Sequence, residues 1–308
     1  MKNPGWIDLQ VNGHAGVDYS EATLSEESFL RSAEALINDG TEIFCPTIVT
    51  GTLERFTRNA AVIRQAVEKH GLQKNIPGLH FEGPFISNTP GAVGAHDPAL
   101  TLIPTAENVE KLLAAAPGFV TIVTLGADVE MAPEATALLT EKGVIVSTGH
   151  HVANYAQIRN IAANGGQLLT HLGNGCPNLV GRHENPIYAG MAEDRLTAMI
   201  ITDGHHLPGE LIKLICRAKG VDKVIVTSDA TSLTGMKPGK YVTLGQEVVL
   251  EANGKLHIPE RQCLAGSAST MAMCMNFLES LDFLTEAELF RLGRGNALEL
   301  LRKNGFCA

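Results

Sequence analysis

The sequence lacks several features that would assign it to well-known classes of protein. No segment of the 308 residues approaches the ~18 uninterrupted apolar residues of a membrane-spanning helix, and the first residues, MKNPGWIDLQVNG, lack the apolar core of a secretion signal. No Lys/Arg cluster stands out, and the formal net charge is -9. These absences argue against nucleic acid or a membrane surface as a partner, so an anionic ligand would need a local site.

The chain also lacks the cysteine pattern of a disulfide framework or of a C-x-x-C site. Its six cysteines lie far apart, at Cys45, Cys176, Cys216, Cys263, Cys274 and Cys307. We expect them to be reduced and mostly buried, and we expect a cytoplasmic protein. No low-complexity linker divides the chain, so we predict a single domain over residues 1–308.

Eight short apolar runs, rich in Val, Ile and Leu, alternate with longer amphipathic stretches that end at or near a glycine, as helices do. This alternation is typical of βα units around a parallel sheet, and eight strands close a barrel. The sequence therefore predicts an α/β protein with a (β/α)8 TIM barrel. The predicted strands lie at 6–13, 43–50, 76–83, 119–126, 144–151, 167–174, 196–204 and 223–230.

Two stretches depart from this rhythm. Residues 175–195 are loop-like at first and leave room for only a short helix before the seventh strand, and long βα loops of a barrel lie on its functional face. Beyond the eighth strand, we predict a small β-hairpin excursion near 241–260 with Asn253-Gly254 in a type I′ turn. Two C-terminal helices, near 267–281 and 285–302, end the chain.

Polar side chains occur where the predicted strands end. Each has a structural explanation by itself, because a histidine can form a buried hydrogen bond and a carboxylate can cap a turn. In a barrel, however, these ends converge on one mouth, and burying several polar groups together is costly unless they bind something. The residues are Gln10, Asn12, Glu82, His150, His171, Asp203, His205, His206 and Asp229.

A glutamate and two histidines from different strands suit a divalent transition metal with open positions for water and substrate. Such a metal lowers the pKa of bound water and polarises a carbonyl. A carboxylate outside the ligand set would then transfer protons, a role that fits Asp229, and His206 would stabilise an oxyanion. This chemistry is hydrolysis of an amide, ester or similar bond.

The motifs of these strand ends resemble a known family. PGWIDLQVNG, GLHFEGPFI, TGHHVANY, THLGNG followed by Arg182, TDGHHL, VTSDAT and LAGSASTM resemble, in order and spacing, those of the N-acetylglucosamine-6-phosphate deacetylases of the amidohydrolase superfamily. The resemblance implies a metal-dependent hydrolase that removes the acetyl group from an N-acetylated amino sugar. N-acetylglucosamine 6-phosphate would give glucosamine 6-phosphate and acetate.

The resemblance also implies a ligand set. Gln10 and Asn12 stand where other members of the superfamily carry the H-x-H of a second metal site. One divalent ion is therefore expected per subunit, held by Glu82, His150 and His171. Zinc is the first expectation, with iron, cobalt and manganese as alternatives.

The remaining roles follow from the same resemblance. Asp229 would act as general base and then acid, and His206 would hold the substrate carbonyl. Asn174, the Gly175 backbone and Arg182 match the positions that grip the sugar phosphate. Because this arginine reaches a neighbouring subunit's site in related enzymes, a homodimer is implied.

Two of the chosen histidines have a second histidine beside them in the sequence. His150 is preferred to His151 because it follows Thr-Gly as the family's motif does, and His206 to His205 because it occupies the last position of D-G-x-H. The neighbours would be supporting or exposed residues.

The chain also departs from the family pattern. Its first predicted strand begins at residue 6, so we expect most of the family's small β-sandwich domain to be absent, and HLGNGCPNL differs from the family pattern around the sugar and phosphate.

Other functions remain open. The same barrel suits an amidohydrolase acting on an unphosphorylated N-acetyl sugar or another N-acyl compound. A non-catalytic metal- or sugar-binding barrel is the second alternative, although a mere binder has no need of Asp229. A metal-free lyase ranks last, because no predicted strand ends in the lysine that a Schiff base requires.

Overall fold

The computed structural model describes residues 5–243 and 246–306, and Cys307 lies outside this range. The eight predicted barrel strands are confirmed, and each pairs in parallel with the next in sequence order. A parallel bridge between Val11 and Ala230 brings the first and last strands together into a nearly closed barrel. The strands are β1 (Trp6–Val11), β2 (Thr41–Val49), β3 (Leu79–Glu82), β4 (Val120–Leu125), β5 (Ile145–Thr148), β6 (Leu168–Leu169), β7 (Thr197–Ile200) and β8 (Val224–Val226).

Helices fill the connections between the strands, as predicted. Their ends follow local chemistry: Thr52 accepts a hydrogen bond from the Arg55 N–H at the start of α2, and Gly71 closes that helix with φ of 69°. The first seven helices are α1 (Glu26–Asn38), α2 (Leu53–His70), α3 (Ala106–Ala114), α4 (Ala132–Glu141), α5 (Tyr155–Ala163), α6 (Pro186–Ala192) and α7 (Gly209–Lys219). The short α6 lies in the 175–195 segment, where only a short helix was predicted.

The C-terminal region holds helices where two were predicted, but the second is interrupted. Helix α8 spans Met271–Ser280, and α9 (Glu286–Phe290) and α10 (Asn296–Lys303) are joined by a π-helical turn at Arg291–Gly295. Gly293 lies in this turn, and a Cβ there would stand 2.7 Å from the indole of Trp6. The close approach of the turn to β1 accounts for the glycine.

The excursion after β8 is larger than the predicted hairpin. Four antiparallel strands form a separate sheet, called the cover sheet below: β9 (Gly239–Thr243), β10 (Gln246–Leu250), β11 (Leu256–Ile258) and β12 (Cys263–Leu264). The predicted type I′ turn is wrong, because that turn requires positive φ at both central residues. Gly254 has φ of 90°, Asn253 is not in the left-handed region, and the Gly254 N–H instead donates to the Glu251 carbonyl.

Alternate residues along the barrel strands change from apolar to polar towards the mouth. On β8 and just beyond it the series is Ile225, Thr227, Asp229, and these positions share one face because strand side chains repeat every two residues. The lower positions of the strands form a fully buried apolar cluster with Ala297 and Leu301 of α10. The cluster therefore closes the bottom of the barrel.

A layer of hydroxyl groups lies above this apolar cluster. Thr124 Oγ1 lies 2.7 Å from Thr170 Oγ1, which lies 2.5 Å from Ser147 Oγ. The buried His80 ring joins the layer, with Nε2 2.7 Å from Thr124 Oγ1 and Nδ1 2.9 Å from the Leu9 carbonyl. These bonds satisfy the buried polar groups and give the strand ends a rigid base.

Two further expectations concern the whole chain. The five cysteines within the described residues form no disulfide with one another, and Cys45, Cys216 and Cys274 are buried. No helix in this part of the chain has the length and apolar character needed to cross a bilayer.

The apolar cluster at the bottom of the barrel should contribute measurably to the free energy of unfolding. Ile122 is fully buried in the apolar cluster, so Ile122→Ala should lower the free energy of unfolding by about 2–5 kcal/mol. Val242→Ala is the control, because Val242 is 77% exposed on the cover sheet. Urea unfolding of both variants checks this, and equal midpoints would contradict a packed barrel interior.

Candidate active site

Three ligand atoms from three strand ends converge in the barrel mouth. Nε2 of His171 lies 3.0 Å from Oε1 of Glu82 and 3.0 Å from Nε2 of His150, which lies 3.2 Å from the same oxygen. All three residues are buried and together form a group that can hold a metal ion. These are the three residues predicted from the sequence as the metal ligands.

The backbone turns sharply where these histidines leave their strands. His150 follows β5 with φ of 52°, and His171 follows β6 with φ of 30°. Asp229, beyond β8, also has φ of 52°. Left-handed backbone costs a residue other than glycine about 1–3 kcal/mol and persists only where the surrounding structure holds it, so the packing around the barrel mouth must hold these three positions.

His150 is held in one orientation by its surroundings. Its Nδ1 lies 2.8 Å from the Ala92 carbonyl, so Nδ1 carries the proton and Nε2 keeps a lone pair for a metal. Gly175 packs against the same ring, and a Cβ at that position would lie 3.0 Å from Nδ1. Glycine at 175 therefore allows the β6–α6 loop to approach His150 and adopt φ of 58°.

The donor set fits a divalent transition metal. In a tetrahedral site with bonds of about 2.1 Å, the ligand atoms stand roughly 3.4 Å apart, close to the spacings between Glu82, His150 and His171. Burial raises the pKa of Glu82, but the hydrogen bonds with His150 and His171 and the charges of His150 and His96 outweigh burial and hold that pKa well below its usual value. Glu82 is therefore a carboxylate, the form that binds a metal.

The Gln10 side-chain amide lies between Asp229 and the metal-binding residue Glu82. The Gln10 side-chain Nε2 donates to Oε1 of Glu82 at 2.7 Å and to Oδ1 of Asp229 at 2.9 Å, and Asn12 Nδ2 donates to the same Asp229 oxygen at 2.7 Å. The two β1 amides thus bond to carboxylates instead of presenting the imidazoles of an H-x-H pair.

The electrostatics of Asp229 follow from this enclosure. Burial raises its pKa well above the usual value, as does repulsion from Glu82, while the hydrogen bond from Asn12 opposes the shift. A cation held by Glu82 would offset the repulsion. Below Asp229, the hydroxyls of Thr227 and Ser228 donate to the buried Asp8 at 2.6 and 2.5 Å, which fixes the end of β8 against β1.

His206 stands on the loop after β7 and lines the same cavity. Its Nδ1 lies 2.7 Å from Oδ2 of Asp203, whose other oxygen accepts the backbone N–H groups of His205 and His206. Because Asp203 occupies Nδ1, Nε2 is the ring nitrogen that remains for a substrate.

The two neighbouring histidines lie differently from those chosen. His151 is buried but its Nδ1 accepts the Ala153 N–H, and it is not part of the metal-binding group. His205 lies with Nε2 3.0 Å from the Asn253 carbonyl of the cover sheet. Both therefore contact backbone groups of adjoining segments.

Only some of the predicted phosphate-binding residues line the cavity. Asn174 and Gly175 line the cavity, and the Asn174 side chain donates to the His171 carbonyl at 3.1 Å. Arg182 is exposed in the loop before α6 and does not line the cavity of its own subunit.

One site residue was missed by the sequence reasoning. His96 is buried with Nε2 3.7 Å from Oε2 of Glu82, and its ring packs edge-on against His150 at 4.5 Å between centroids. Its Nδ1 has no hydrogen-bond partner within the described residues. Burial lowers the pKa of His96 to about 3, as does repulsion from His150. The long loop 83–105 after β3 was the available signal, because long βα loops carry function.

These side chains line a cavity of about 800 Å³ beneath the cover sheet. Loops from several strands hold the sheet over the mouth: Thr243 Oγ1 donates to Asp18 at 3.2 Å, Gln246 Nε2 to the Ala95 carbonyl at 2.8 Å, and Asn178 Nδ2 to the Gln262 carbonyl at 3.1 Å. The cavity is large enough for a sugar-sized ligand.

Known proteins are similar to this chain in sequence and in fold. The N-acetylglucosamine-6-phosphate deacetylase of Bos taurus is 33% identical over 299 residues, which cover 93% of this chain and 71% of that protein. This chain belongs to the N-acetylglucosamine-6-phosphate deacetylase family. The N-acetylgalactosamine-6-phosphate deacetylase of Escherichia coli O157:H7 is 28% identical over 303 residues, or 98% of this chain and 78% of that protein.

A solved member of the deacetylase family has the same fold. A variant of the N-acetyl-D-glucosamine-6-phosphate deacetylase of Mycobacterium smegmatis, in complex with N-acetyl-D-glucosamine 6-phosphate, has a TM-score of 0.88 and 27% identity. The alignment covers 97% of this chain and 77% of that one. No model of a protein family matches the chain. Membership of the deacetylase family makes this chain a metal-dependent hydrolase of the amidohydrolase type.

The geometry of the three ligand atoms predicts different effects for substitutions at the adjacent residues His150 and His151. His150→Asn should remove bound metal, because it deletes one of three ligand atoms. His151→Asn should keep the metal, since His151 only accepts a backbone N–H. Elemental analysis of both purified variants decides between them, and metal loss in the His151 variant alone would reverse the assignment.

Proposed function

We propose that this chain hydrolyses the acetamide of N-acetylglucosamine 6-phosphate, giving glucosamine 6-phosphate and acetate. The observation that carries the proposal is Asp229, a buried carboxylate outside the metal-binding group that Gln10 connects to Glu82. Its place gives the site a proton-transfer group beside a metal site. A binding protein needs only the metal site.

The proposed reaction breaks the C–N bond and forms a C–O bond with water. Asp229 takes a proton from the attacking water as general base, and then returns it to the nitrogen of the leaving amine as general acid. Gln10 and Asn12 both donate to Oδ1 of Asp229, which leaves Oδ2 for proton transfer and holds the carboxylate so that it needs little rearrangement during the reaction. The product acid leaves as acetate and the sugar as the free amine.

His206 is proposed to stabilise the carbonyl oxygen as negative charge develops on it. Nδ1 of the ring donates to Asp203, and with the ring protonated Nε2 would donate to that carbonyl oxygen. His96 lines the same cavity with an unbonded Nδ1, and we propose that it contacts the sugar.

Glu82, His150 and His171 are proposed to hold one divalent ion, with zinc first and iron, cobalt or manganese as alternatives. Such an ion would supply Lewis-acid polarisation of the carbonyl and a lower pKa for water. Gln10 and Asn12 bond to Asp229, which favours one ion over two.

The phosphate is proposed to contact Asn174 and the Gly175 backbone, both of which line the cavity. Because Arg182 lies outside the cavity of its own subunit, we propose that it reaches the site of a partner in a homodimer. Cysteines that form no disulfide among the described residues fit the proposed cytoplasmic location. We also propose that barrel, cover sheet and C-terminal helices are one domain over residues 1–308.

Removal of the Asp229 carboxylate tests the central role. Asp229→Asn should lower kcat for acetate release by at least about 10²-fold, because general acid–base catalysis contributes about 10²–10⁴-fold. Its metal content should stay unchanged, since Asp229 is not one of the three ligands. The measurement is the rate of acetate release at full metal occupancy. An unchanged rate in Asp229→Asn would contradict acid–base catalysis by Asp229.

A second candidate substrate follows from the relative in Escherichia coli, named for the 4-epimer N-acetylgalactosamine 6-phosphate. Acetate release should therefore be measured with both phosphosugars and with unphosphorylated N-acetylglucosamine. We expect the highest kcat/KM with N-acetylglucosamine 6-phosphate. Equal kcat/KM with and without phosphate would favour the unphosphorylated alternative.

A further inference from the structure

The cavity is acidic and histidine-rich, and among the described residues one lysine and no arginine line it. That lysine is Lys255. A sugar phosphate brings a dianion, and the chain as a whole carries a net charge of -9, so binding requires a positive charge at the site itself. Arg182 does not supply it within the subunit, because it lies outside the cavity.

Lys255 lines the cavity from the side of the cover sheet. Lys255 immediately precedes β11 and follows the turn at 251–254, where the Asn253 side chain accepts the Lys255 N–H at 3.1 Å. The Asn253 carbonyl lies 3.0 Å from Nε2 of His205, next to the proposed catalytic residue His206. The lysine is therefore carried on a turn docked against the β7–α7 loop.

The charge of Lys255 is available to a ligand. Within the described residues the Lys255 ammonium has no carboxylate partner, whereas Lys240 and His257 of the cover sheet each lie beside a glutamate. Lys240 Nζ lies 3.1 Å from Glu247, and His257 Nε2 lies 2.9 Å from Glu251. A lysine that lines a cavity without an acidic partner favours an anionic ligand group.

We infer that Lys255 binds the phosphate of the substrate from within the same subunit, and so selects phosphorylated over neutral amino sugars. This inference rests on the proposed function and deepens it by naming the cation. The contact is an ammonium-to-phosphate hydrogen bond, which Met at 255 removes while keeping an unbranched side chain. Any contact from Arg182 of the partner subunit would add to it.

The test compares Lys255→Met with Lys240→Met, a matched control on the same sheet that does not line the cavity. Lys255→Met should raise KM for N-acetylglucosamine 6-phosphate by at least about tenfold, because hydrogen bonds to charged groups contribute about 1.5–3 kcal/mol. Its kcat should stay near that of the unchanged enzyme. Lys255→Arg should restore most of the affinity, and Lys240→Met should change neither constant.

Two results would overturn the inference. One is an unchanged KM for the phosphosugar in Lys255→Met, and the other is an equal loss with unphosphorylated N-acetylglucosamine, which would mean that the substitution only disturbs the cover sheet.

Binding of inorganic phosphate to the metal-loaded protein, measured by calorimetry, tests the residue without turnover. It should weaken at least tenfold in Lys255→Met and stay unchanged in Lys240→Met, and equal weakening or none would also contradict the inference. If the unchanged protein releases no acetate from any phosphosugar, the proposed function fails, and the calorimetry still decides the role of Lys255.

Discussion

Two buried carboxylates share one amide, and the site depends on that contact. Gln10 donates to both Glu82 and Asp229, so the Glu82 and Asp229 carboxylates stand on either side of a single nitrogen in a pocket with little solvent. Two desolvated negative charges repel each other, and burying them is costly unless they are paired and hydrogen-bonded. The histidines beside Glu82 and the amides beside Asp229 offset part of that cost, and a cation held by the three ligands would offset more of it. The same arrangement suits the two carboxylates to the roles proposed for them, Glu82 as a ligand and Asp229 as a proton carrier.

The barrel explains why these groups meet at all. Parallel strands bring their carboxyl ends to one mouth, and alternate positions rise from an apolar bottom through a layer of hydroxyls to the charged groups. The strained turns at His150, His171 and Asp229 cost free energy that this packed base must supply. A rigid layer below the site limits how far each side chain can move, and catalysis depends on such positioning.

Much of this arrangement was predictable from the sequence because it depends on periodicity. Buried strands appear as short apolar runs, and a polar residue at the end of such a run stands out. The choice between His150 and His151 is harder to derive from pattern, since it depends on one left-handed residue that points the first ring inward and leaves the second against the backbone.

Other features depend on contacts between distant segments. The cover sheet has four short strands, and β9 is mostly exposed, so its apolar signal is weak. His96 lies in a loop, where no periodicity marks which residues turn inward. Arg182 carries a family motif but lies outside the cavity, and whether it serves a partner depends on an assembly that no single-chain pattern encodes.

The central claim is that Glu82, His150 and His171 together bind one cation beside Asp229. The most direct test is a crystal of the purified protein with anomalous diffraction measured on both sides of the metal's absorption edge. The account predicts a single strong peak per subunit within bonding distance of Glu82 Oε1 and of both Nε2 atoms. A peak bonded to Gln10 and Asn12, or a peak outside the barrel mouth with these three side chains unoccupied in an active enzyme, would contradict it.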